Sequence, residues 1–204
     1  SVMNIDFIEM CGIIGLYHRR EKLFMRLFHV SEEENIQLFE PRLPERGDLD
    51  KSVGLVWAID EARLPNFLTP RDCPRVAYHV GKNTSKADIK KFFMSQACSF
   101  AVAIENRWFD RMRSTTLYLY EFDTADFELL DDVAGYYVAK TSQIPIAKYQ
   151  LDDLFGELIK RNIEIRVTDN LWQLADEVEK STLNWSLCRM RNAQPRIDHK
   201  QENS

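Results

Sequence analysis

The chain has 204 residues, of which 45% are hydrophobic and 29% are charged, with only seven glycines and seven prolines. This composition is typical of a globular protein and excludes collagenous, low-complexity and wholly disordered classes. The 27 basic residues against 32 acidic residues give a net charge of −5, which argues against nucleic-acid binding through overall charge.

The sequence also argues against a membrane span and a metal site. No apolar run approaches the roughly 20 residues of a membrane-spanning helix, and the run 10–16 is much too short. Four cysteines stand far apart, with no CxxC pair and no histidine at metal-ligand spacing: Cys11, Cys73, Cys98 and Cys188. Unpaired thiols are typical of a reducing compartment, so we expect a cytoplasmic protein without membrane association.

The chain divides into three parts. Met25 opens a strand-like segment and would make a natural N-terminus, so residues 1–24 are interpreted as an extension upstream of the true start. Residues 25–196 mix short strands and helices without a repeat or a Ser/Gly linker, which predicts a single α+β domain. The polar residues 197–204 are predicted to be a disordered tail.

The first half of the domain is predicted to hold three short strands and one short helix. The segments 26–31, 54–59 and 74–80 are rich in β-forming residues and end in polar or turn signals. Between the last two, residues 60–68 have the apolar spacing of a short helix, although Pro65 lies inside it.

The middle of the chain gives two clearer patterns. Ser85 followed by Asp88 predicts the N-terminus of a helix with Ile89, Phe92 and Phe93 on one face. The continuously apolar run 99–104 is too short for a buried helix, and it predicts a central strand with apolar contacts on both faces.

The second half continues with strands at 117–120 and 135–139. An amphipathic helix is then predicted from apolar residues at i, i+3, i+4, i+7 and i+8, namely Leu151, Leu154, Phe155, Leu158 and Ile159. The alternating segment 163–167 predicts a half-buried strand. Asn170 is predicted to cap a last helix with four apolar residues facing inward: Leu171, Leu174, Ala175 and Val178.

These elements predict an α+β fold with a mixed, largely antiparallel central sheet and flanking helices. The periodicity places six residues in the interior of the sheet: Leu27, Val56, Val102, Ile104, Leu117 and Ile165. Four helical residues are expected to pack on them: Phe92, Leu154, Leu158 and Leu174.

A first candidate site lies on the N-terminal strand. His29 and Ser31 point to the same side, because strand side chains repeat every two residues, and a loop carrying Arg42 follows them. These groups predict a ligand site. The alternative is a core histidine whose ring is satisfied by a backbone carbonyl.

The pattern His29-x-Ser31, then Asn35-Ile36 and a loop to Pro41-Arg42, resembles the opening of the ADP-ribosyltransferase superfamily. The resemblance implies an ADP-ribosyltransferase-like architecture, with NAD or another nucleotide as ligand. In that superfamily the strand histidine hydrogen-bonds a ribose hydroxyl of NAD, an aromatic residue stacks on the nicotinamide, and a late-strand glutamate stabilises the transition state.

Carried over to this chain, the resemblance assigns ligand binding to His29 and Ser31 and leaves the stacking aromatic as either Trp57 or Tyr78. Tyrosines, Tyr136 among them, stand on the late strand where the family carries its glutamate. The resemblance therefore implies nucleotide binding and leaves catalysis open. No phosphate-binding loop, GxGxxG, GxSxG or HExxH motif is present to supply another chemistry.

Residues 25–196 are also similar to an uncharacterised bacterial family of unknown function. The similarity is carried by four segments: 56–60, 68–76, 135–138 and 186–193. It covers most of the chain and implies no activity.

Two further segments hold chemically distinctive residues. In the loop 70–75 Arg71 offers a guanidinium fork to an anion, and Cys73 is a candidate reactive thiol because neighbouring cations lower the pKa of a thiol. The alternative is a tight turn locked by ion pairs, with the thiol packed inward. Near the C-terminus, strand-like alternation would place Arg189 and Arg191 on one side, where they clamp an anion or pair with acidic residues.

The sequence therefore supports three hypotheses of different classes. The first is a protein that binds a small anionic or nucleotide ligand through the residues above, with its enzymatic status open. The second is a non-enzymatic partner-binding or sensor domain, in which His29 and the arginines are structural. The third is a thiol-dependent enzyme that uses Cys73. None of the three implies an oligomeric state.

Overall fold

The computed structural model describes residues 25–44, 47–95 and 97–197. The expectations for the extension 1–24 and for the tail from residue 198 onward lie outside these ranges. No helix among the described residues is long and apolar enough to cross a membrane.

The described residues contain ten strands. In chain order these are β1 (Leu27–Ser31), β2 (Val56–Asp60), β3 (Arg75–His79), β4 (Phe100–Glu105), β5 (Leu117–Phe122), β6 (Glu128–Asp131), β7 (Tyr136–Ala139), β8 (Ala147–Leu151), β9 (Glu164–Thr168) and β10 (Asn184–Cys188). They form two sheets, a six-stranded sheet in the order β6-β7-β2-β1-β5-β8 and a four-stranded sheet in the order β10-β3-β4-β9. All pairs are antiparallel except β4 with β9.

Four short α-helices connect or cover the sheets: α1 (Lys86–Phe92), α2 (Phe109–Ser114), α3 (Leu154–Lys160) and α4 (Trp172–Glu179). Three 3₁₀ turns occur at Leu64–Phe67, Asn106–Trp108 and Met190–Asn192. As predicted, Ser85 caps α1 by accepting a hydrogen bond from Asp88 N at 3.1 Å. Asn170 Oδ1 accepts from Trp172 N at 2.9 Å at the start of α4.

The largest apolar cluster, the shared core, takes residues from both sheets. It includes Phe28 and Leu117 from the six-stranded sheet and Ala77 and Val102 from the four-stranded sheet. Helix α3 adds Leu154 and Leu158, which are both fully buried. The shared core therefore joins the two sheets into one packed body.

Each sheet has a second apolar cluster on its other face. The helix-side core lies between the four-stranded sheet and helices α1 and α4, and it contains Val76, Tyr78, Phe92, Ala175 and Val178. The outer core covers the far face of the six-stranded sheet with Leu27, Phe39, Val56, Phe122 and Phe127. From one side to the other, the layers are the loops over the outer core, the six-stranded sheet, the shared core, the four-stranded sheet, and helices α1 and α4 over the helix-side core.

The α+β class and the antiparallel pairing are confirmed, but the single central sheet is wrong. Local periodicity shows which residues are buried and not which sheet a strand joins. The predicted interior residues Val56 and Val102 are buried in different sheets. Ile165 and Leu174 are only partly buried.

Two helix predictions also need correction. The helix predicted over residues 60–68 shrinks to the 3₁₀ turn Leu64–Phe67, since Pro65 is tolerated only in a first turn. Helix α3 begins at Leu154, because Leu151 pairs with Leu117 as the last residue of β8. Ile159, predicted to face inward, is 67% exposed.

The prediction that Arg189 and Arg191 alternate along a strand is wrong. Strand β10 ends at Cys188, and Arg189 takes a left-handed conformation with φ 54°. A 3₁₀ turn follows, so strand periodicity does not apply to these two residues.

Candidate functional site

An open cleft of about 450 Å³ lies where strand ends of the two sheets meet, at the end of β2 in one sheet and at β3 and β4 in the other. The connection after β2 contributes Glu61 and Arg63, and the end of β3 contributes His79. The start of β4 and the turn after α3 supply further walls: Ser99, Phe100, Arg161 and Asn162. The cleft is therefore lined by polar and charged side chains and by the aromatic ring of Phe100.

Arg63 is held in place at both its backbone and its side chain. Its backbone N donates to Asp60 Oδ1 at 2.7 Å, and its Nε donates to Val133 O at 3.0 Å. Gly135, with φ +69°, packs so closely that an added Cβ would lie 2.5 Å from Arg63 Cγ. This glycine lets the β6–β7 turn support the arginine, whose Nη atoms hydrogen-bond no described residue.

His79 is a buried, neutral imidazole beside Arg63. It is 8% exposed and stacks on Phe100, with ring centroids 5.2 Å apart and an interplanar angle of 16°. Asn184 Nδ2 lies 3.2 Å from His79 Nε2. Burial lowers the pKa of His79 to about 4, and the charge of Arg63 contributes in the same direction.

The turn after α3 brings the second arginine to the cleft. Arg161 Nη1 bonds the carboxylate of Glu157 and donates to Glu157 O at 3.0 Å. Asn162 follows in a left-handed conformation, φ 56°, and its Nδ2 donates to Ala97 O at 2.7 Å. Asparagine tolerates this conformation at helix ends better than most residues, so the local sequence fixes the turn.

His29 occupies a different part of the molecule. Its Nδ1 lies 3.0 Å from Trp57 O, and its ring centroid lies 4.8 Å from that of Phe39 in the outer core. Burial lowers the pKa of His29, the hydrogen bond to Trp57 opposes this, and the charges of Arg42 and Arg71 lower it further. These shifts keep the ring neutral at pH 7.

Ser31 and Arg42 lie near this histidine and have local partners. Ser31 Oγ accepts from Glu33 N at 3.0 Å, which closes a turn after β1. Arg42 is exposed, and its backbone pairs with Leu55 in an isolated bridge. Neither side chain lines the cleft beside His79.

None of the three candidate aromatic rings lies on the sheet face of His29, although the Trp57 carbonyl contacts it. Trp57 is on the opposite face of the six-stranded sheet, because it alternates with Val56 and Ala58 of the outer core. Its ring makes an edge contact with Tyr136 at 5.5 Å. Tyr78 is fully buried in the helix-side core and donates from its hydroxyl to Phe92 O at 3.1 Å.

Cys73 is fully buried, and its Sγ donates to Pro74 O at 3.5 Å. Burial raises the pKa of this thiol to about 12, outweighing the opposing charge of Arg75. The thiolate is the reactive form of cysteine, so this environment disfavours nucleophilic chemistry at neutral pH.

The remaining arginine candidates surround the loop that carries Cys73. Arg189 Nε donates to Arg71 O at 3.2 Å, and Asn192 Nδ2 donates to Asp72 O at 2.8 Å. The C-terminal segment therefore fastens the loop through its backbone. Arg71 and Arg191 have exposed side chains outside the cleft.

Sequence reasoning missed the residues that line the cleft. Arg63, His79 and Arg161 stand 16 and 82 residues apart along the chain, and no motif joins them. The one available signal was His79 itself, a polar residue at the end of an apolar strand.

Among the described residues, no group of His, Cys, Asp and Glu could hold a metal ion.

Comparison with known proteins gives a family and no activity. The model of a family of unknown function (DUF6886) matches residues 28–193. No curated protein and no solved structure matches the chain.

Proposed function

This chain belongs to the DUF6886 family of unknown function, and we propose that it binds a small molecule carrying a phosphate or carboxylate group in the cleft beside His79. The observation that carries the proposal is the placement of Arg63 and Arg161 on one cleft around a buried imidazole. Guanidinium groups match the planar, bidentate geometry of carboxylate and phosphate oxygens.

The electrostatics of the cleft support an anion. The Nη atoms of Arg63 have no bonding partner among the described residues, so they are available to a ligand. Glu61, the acidic residue on the wall, is itself paired with Arg26 at 3.1 Å. Both arginines have a carboxylate nearby, Glu157 beside Arg161 and Asp60 beside Arg63. Only the guanidinium of Arg161 is hydrogen-bonded to its carboxylate, so Arg63 is the stronger anchor.

The size of the cleft suits a compact ligand. Its volume of about 450 Å³ lies within the range of roughly 300–1,000 Å³ usual for small-molecule sites. A mononucleotide falls in this class. NAD is a second compound to test, because the segment around His29 and Ser31 resembles that of ADP-ribosyltransferases, although these two residues lie outside the cleft. The proposal is for binding, with no catalytic role assigned to the cleft.

The test is thermal and chemical denaturation of the full chain with inorganic phosphate, citrate, AMP and NAD. A ligand at 100 times its dissociation constant should add about 2.7 kcal/mol to the free energy of unfolding. Comparing phosphate with citrate shows which anion the cleft prefers. We expect Arg63→Gln to abolish the stabilisation.

Arg191→Gln is the matched control, because it removes an exposed arginine outside the cleft. It should leave the stabilisation intact. Stabilisation lost in Arg191→Gln and kept in Arg63→Gln would move the site to the loop around Cys73. No stabilisation by any of the four compounds would overturn the proposal.

A further inference from the structure

The imidazole of His79 is oriented by its neighbour on β10, Asn184. The two residues are direct partners in the pairing of β3 with β10, so their side chains lie on the same face of the four-stranded sheet. Asn184 Nδ2 lies 3.2 Å from His79 Nε2. An added Cβ at Gly81 would lie 2.7 Å from the same Nδ2. The absence of a side chain at Gly81 therefore leaves the carboxamide room to lie against the ring.

This contact decides which ring nitrogen of His79 carries the proton. An amide nitrogen only donates hydrogen bonds, so the Nε2 atom beside it accepts. The ring is neutral at pH 7, because burial lowers its pKa to about 4, and a neutral imidazole has one donor nitrogen and one acceptor nitrogen. The proton therefore resides on Nδ1, in the tautomer that the neighbouring hydrogen bond selects.

The Nδ1 atom of His79 is open to solvent and has no hydrogen-bond partner among the described residues. In this part of the chain, the side-chain atoms that are both sealed from solvent and unpaired are Asn66 Oδ1 and Thr69 Oγ1, and Nδ1 is not one of them. Phe100 covers one face of the ring by stacking on it. Because His79 lines the cleft that holds Arg63, Nδ1 is the polar ring atom that a ligand there can reach.

We propose that His79 Nδ1 donates a hydrogen bond to an oxygen of the anion that Arg63 holds, and that Asn184 is a positioning residue that keeps the proton on Nδ1. This inference rests on the proposed function and adds a second binding residue to it. The ligand atom that faces His79 is then an acceptor, as every oxygen of a carboxylate or a phosphate dianion is. A neutral donor binds such an oxygen without the desolvation cost of a second buried charge.

Nitrogen NMR of the full chain reads the tautomer directly. The His79 signals are identified by their loss in His79→Gln, and at pH 7 without ligand we expect the proton on Nδ1. Asn184→Leu removes the hydrogen bond to Nε2 and should shift the ring towards a mixture of both tautomers. Ser186→Ala is the matched control on the same strand, because Ser186 hydrogen-bonds Cys188 and lies outside the cleft. It should leave the tautomer unchanged.

Two substitutions of His79 test the bond to the ligand. The amide nitrogen of asparagine is bonded to Cγ, as Nδ1 is, whereas that of glutamine lies one bond further out, near the position of Nε2. We expect His79→Asn to keep most of the affinity for phosphate or citrate, whichever the cleft prefers, and His79→Gln to lose at least about tenfold. Asn184→Leu should bind more weakly than Ser186→Ala. Calorimetric titration measures the affinities, and denaturation midpoints show that each variant is folded.

The outcomes separate this inference from the proposed function. A proton on Nε2 in the unsubstituted chain overturns the inference and leaves anion binding by Arg63 intact. Equal affinities of His79→Asn and His79→Gln overturn it in the same way. An unchanged tautomer in Asn184→Leu removes the positioning role of Asn184. If neither phosphate nor citrate binds the unsubstituted chain, both proposals fail together.

Discussion

The imidazole of His29 takes the place of a backbone N–H donor between β1 and β2. The two strands are in register only at the pairs Leu27–Asp60 and Phe28–Ile59. Beyond these pairs, His29 Nδ1 lies 3.0 Å from Trp57 O. A side chain thus satisfies a carbonyl at the point where the strand ladder ends.

We expect His29→Ala to lower the free energy of unfolding by about 1–3 kcal/mol, since it leaves a partly buried carbonyl unpaired and removes the contact with Phe39. Urea denaturation measures this change. Ser31→Ala, on the same strand face, should stay within about 0.5 kcal/mol. An unchanged stability together with loss of anion binding would instead place His29 in the ligand site.

His79 makes stability depend on pH in a defined window. Its pKa in the folded protein is about 4, below the ordinary value of 6.5. As pH falls below 6.5, His79 is protonated in the unfolded chain but stays neutral in the folded protein. Its contribution to the free energy of unfolding is therefore full above pH 6.5 and declines towards pH 4. The expected loss between pH 7 and pH 5 is about 2 kcal/mol from this residue.

Denaturation midpoints measured at pH 7, 6 and 5 test this expectation. His79→Gln should have a shallower pH dependence than the unsubstituted chain. His29, whose pKa is also lowered, contributes to the slope that remains. Carboxylates with lowered pKa, such as Glu121, contribute mainly below about pH 4.5. An identical slope in His79→Gln would show that His79 is not buried as described.

At the scale of the elements, α3 shows how one helix serves both the core and the cleft. Asp153 Oδ1 accepts from Gly156 N at 2.9 Å and caps the helix. Leu154 and Leu158 are buried in the shared core, whereas Ile159 is 67% exposed. The helix ends at Lys160, which places Arg161 at the cleft.

Neighbouring residues of α3 should therefore respond very differently to truncation. Leu158→Ala removes a fully buried side chain and should cost about 2–5 kcal/mol. Ile159→Ala, one residue further on, should change the free energy of unfolding by no more than about 0.5 kcal/mol. Equal costs at both positions would show that Ile159 is buried as deeply as Leu158.

At the scale of the whole molecule, the shared core couples the two sheets. Phe28 and Leu119 of the six-stranded sheet pack in the same cluster as Val102 and Ile104 of the four-stranded sheet. Unfolding one sheet alone would expose the apolar face of the other. Such an exposure is strongly unfavourable, so the body should unfold in one cooperative step.

Hydrogen exchange of the unsubstituted chain tests this coupling. The slowest amides of β5 and of β4 should report the same opening free energy, within about 0.5 kcal/mol, because both exchange through global unfolding. A gap of about 2 kcal/mol or more would mean that one sheet opens independently. The cleft between the strand ends of the two sheets would then be a mobile boundary.

Much of the local structure was predictable from short-range patterns. Capping at Ser85 and the fully apolar run of β4 depend on neighbouring residues alone, and both are confirmed. Strands β6, β8 and β10 were not predicted. Strand β8 has no apolar alternation, because it is a sheet edge with three exposed residues, Lys148, Tyr149 and Gln150.

The sequence by itself determined the α+β class, the identity of most buried residues and the family, because these follow from composition, periodicity and similarity along the chain. Only the tertiary structure decided which strands share a sheet and which polar residues meet. His29 and Trp57 are joined by a hydrogen bond, yet their side chains lie on opposite faces of one sheet. The cleft is built by residues from separate elements, and their approach depends on long-range packing that no local pattern encodes.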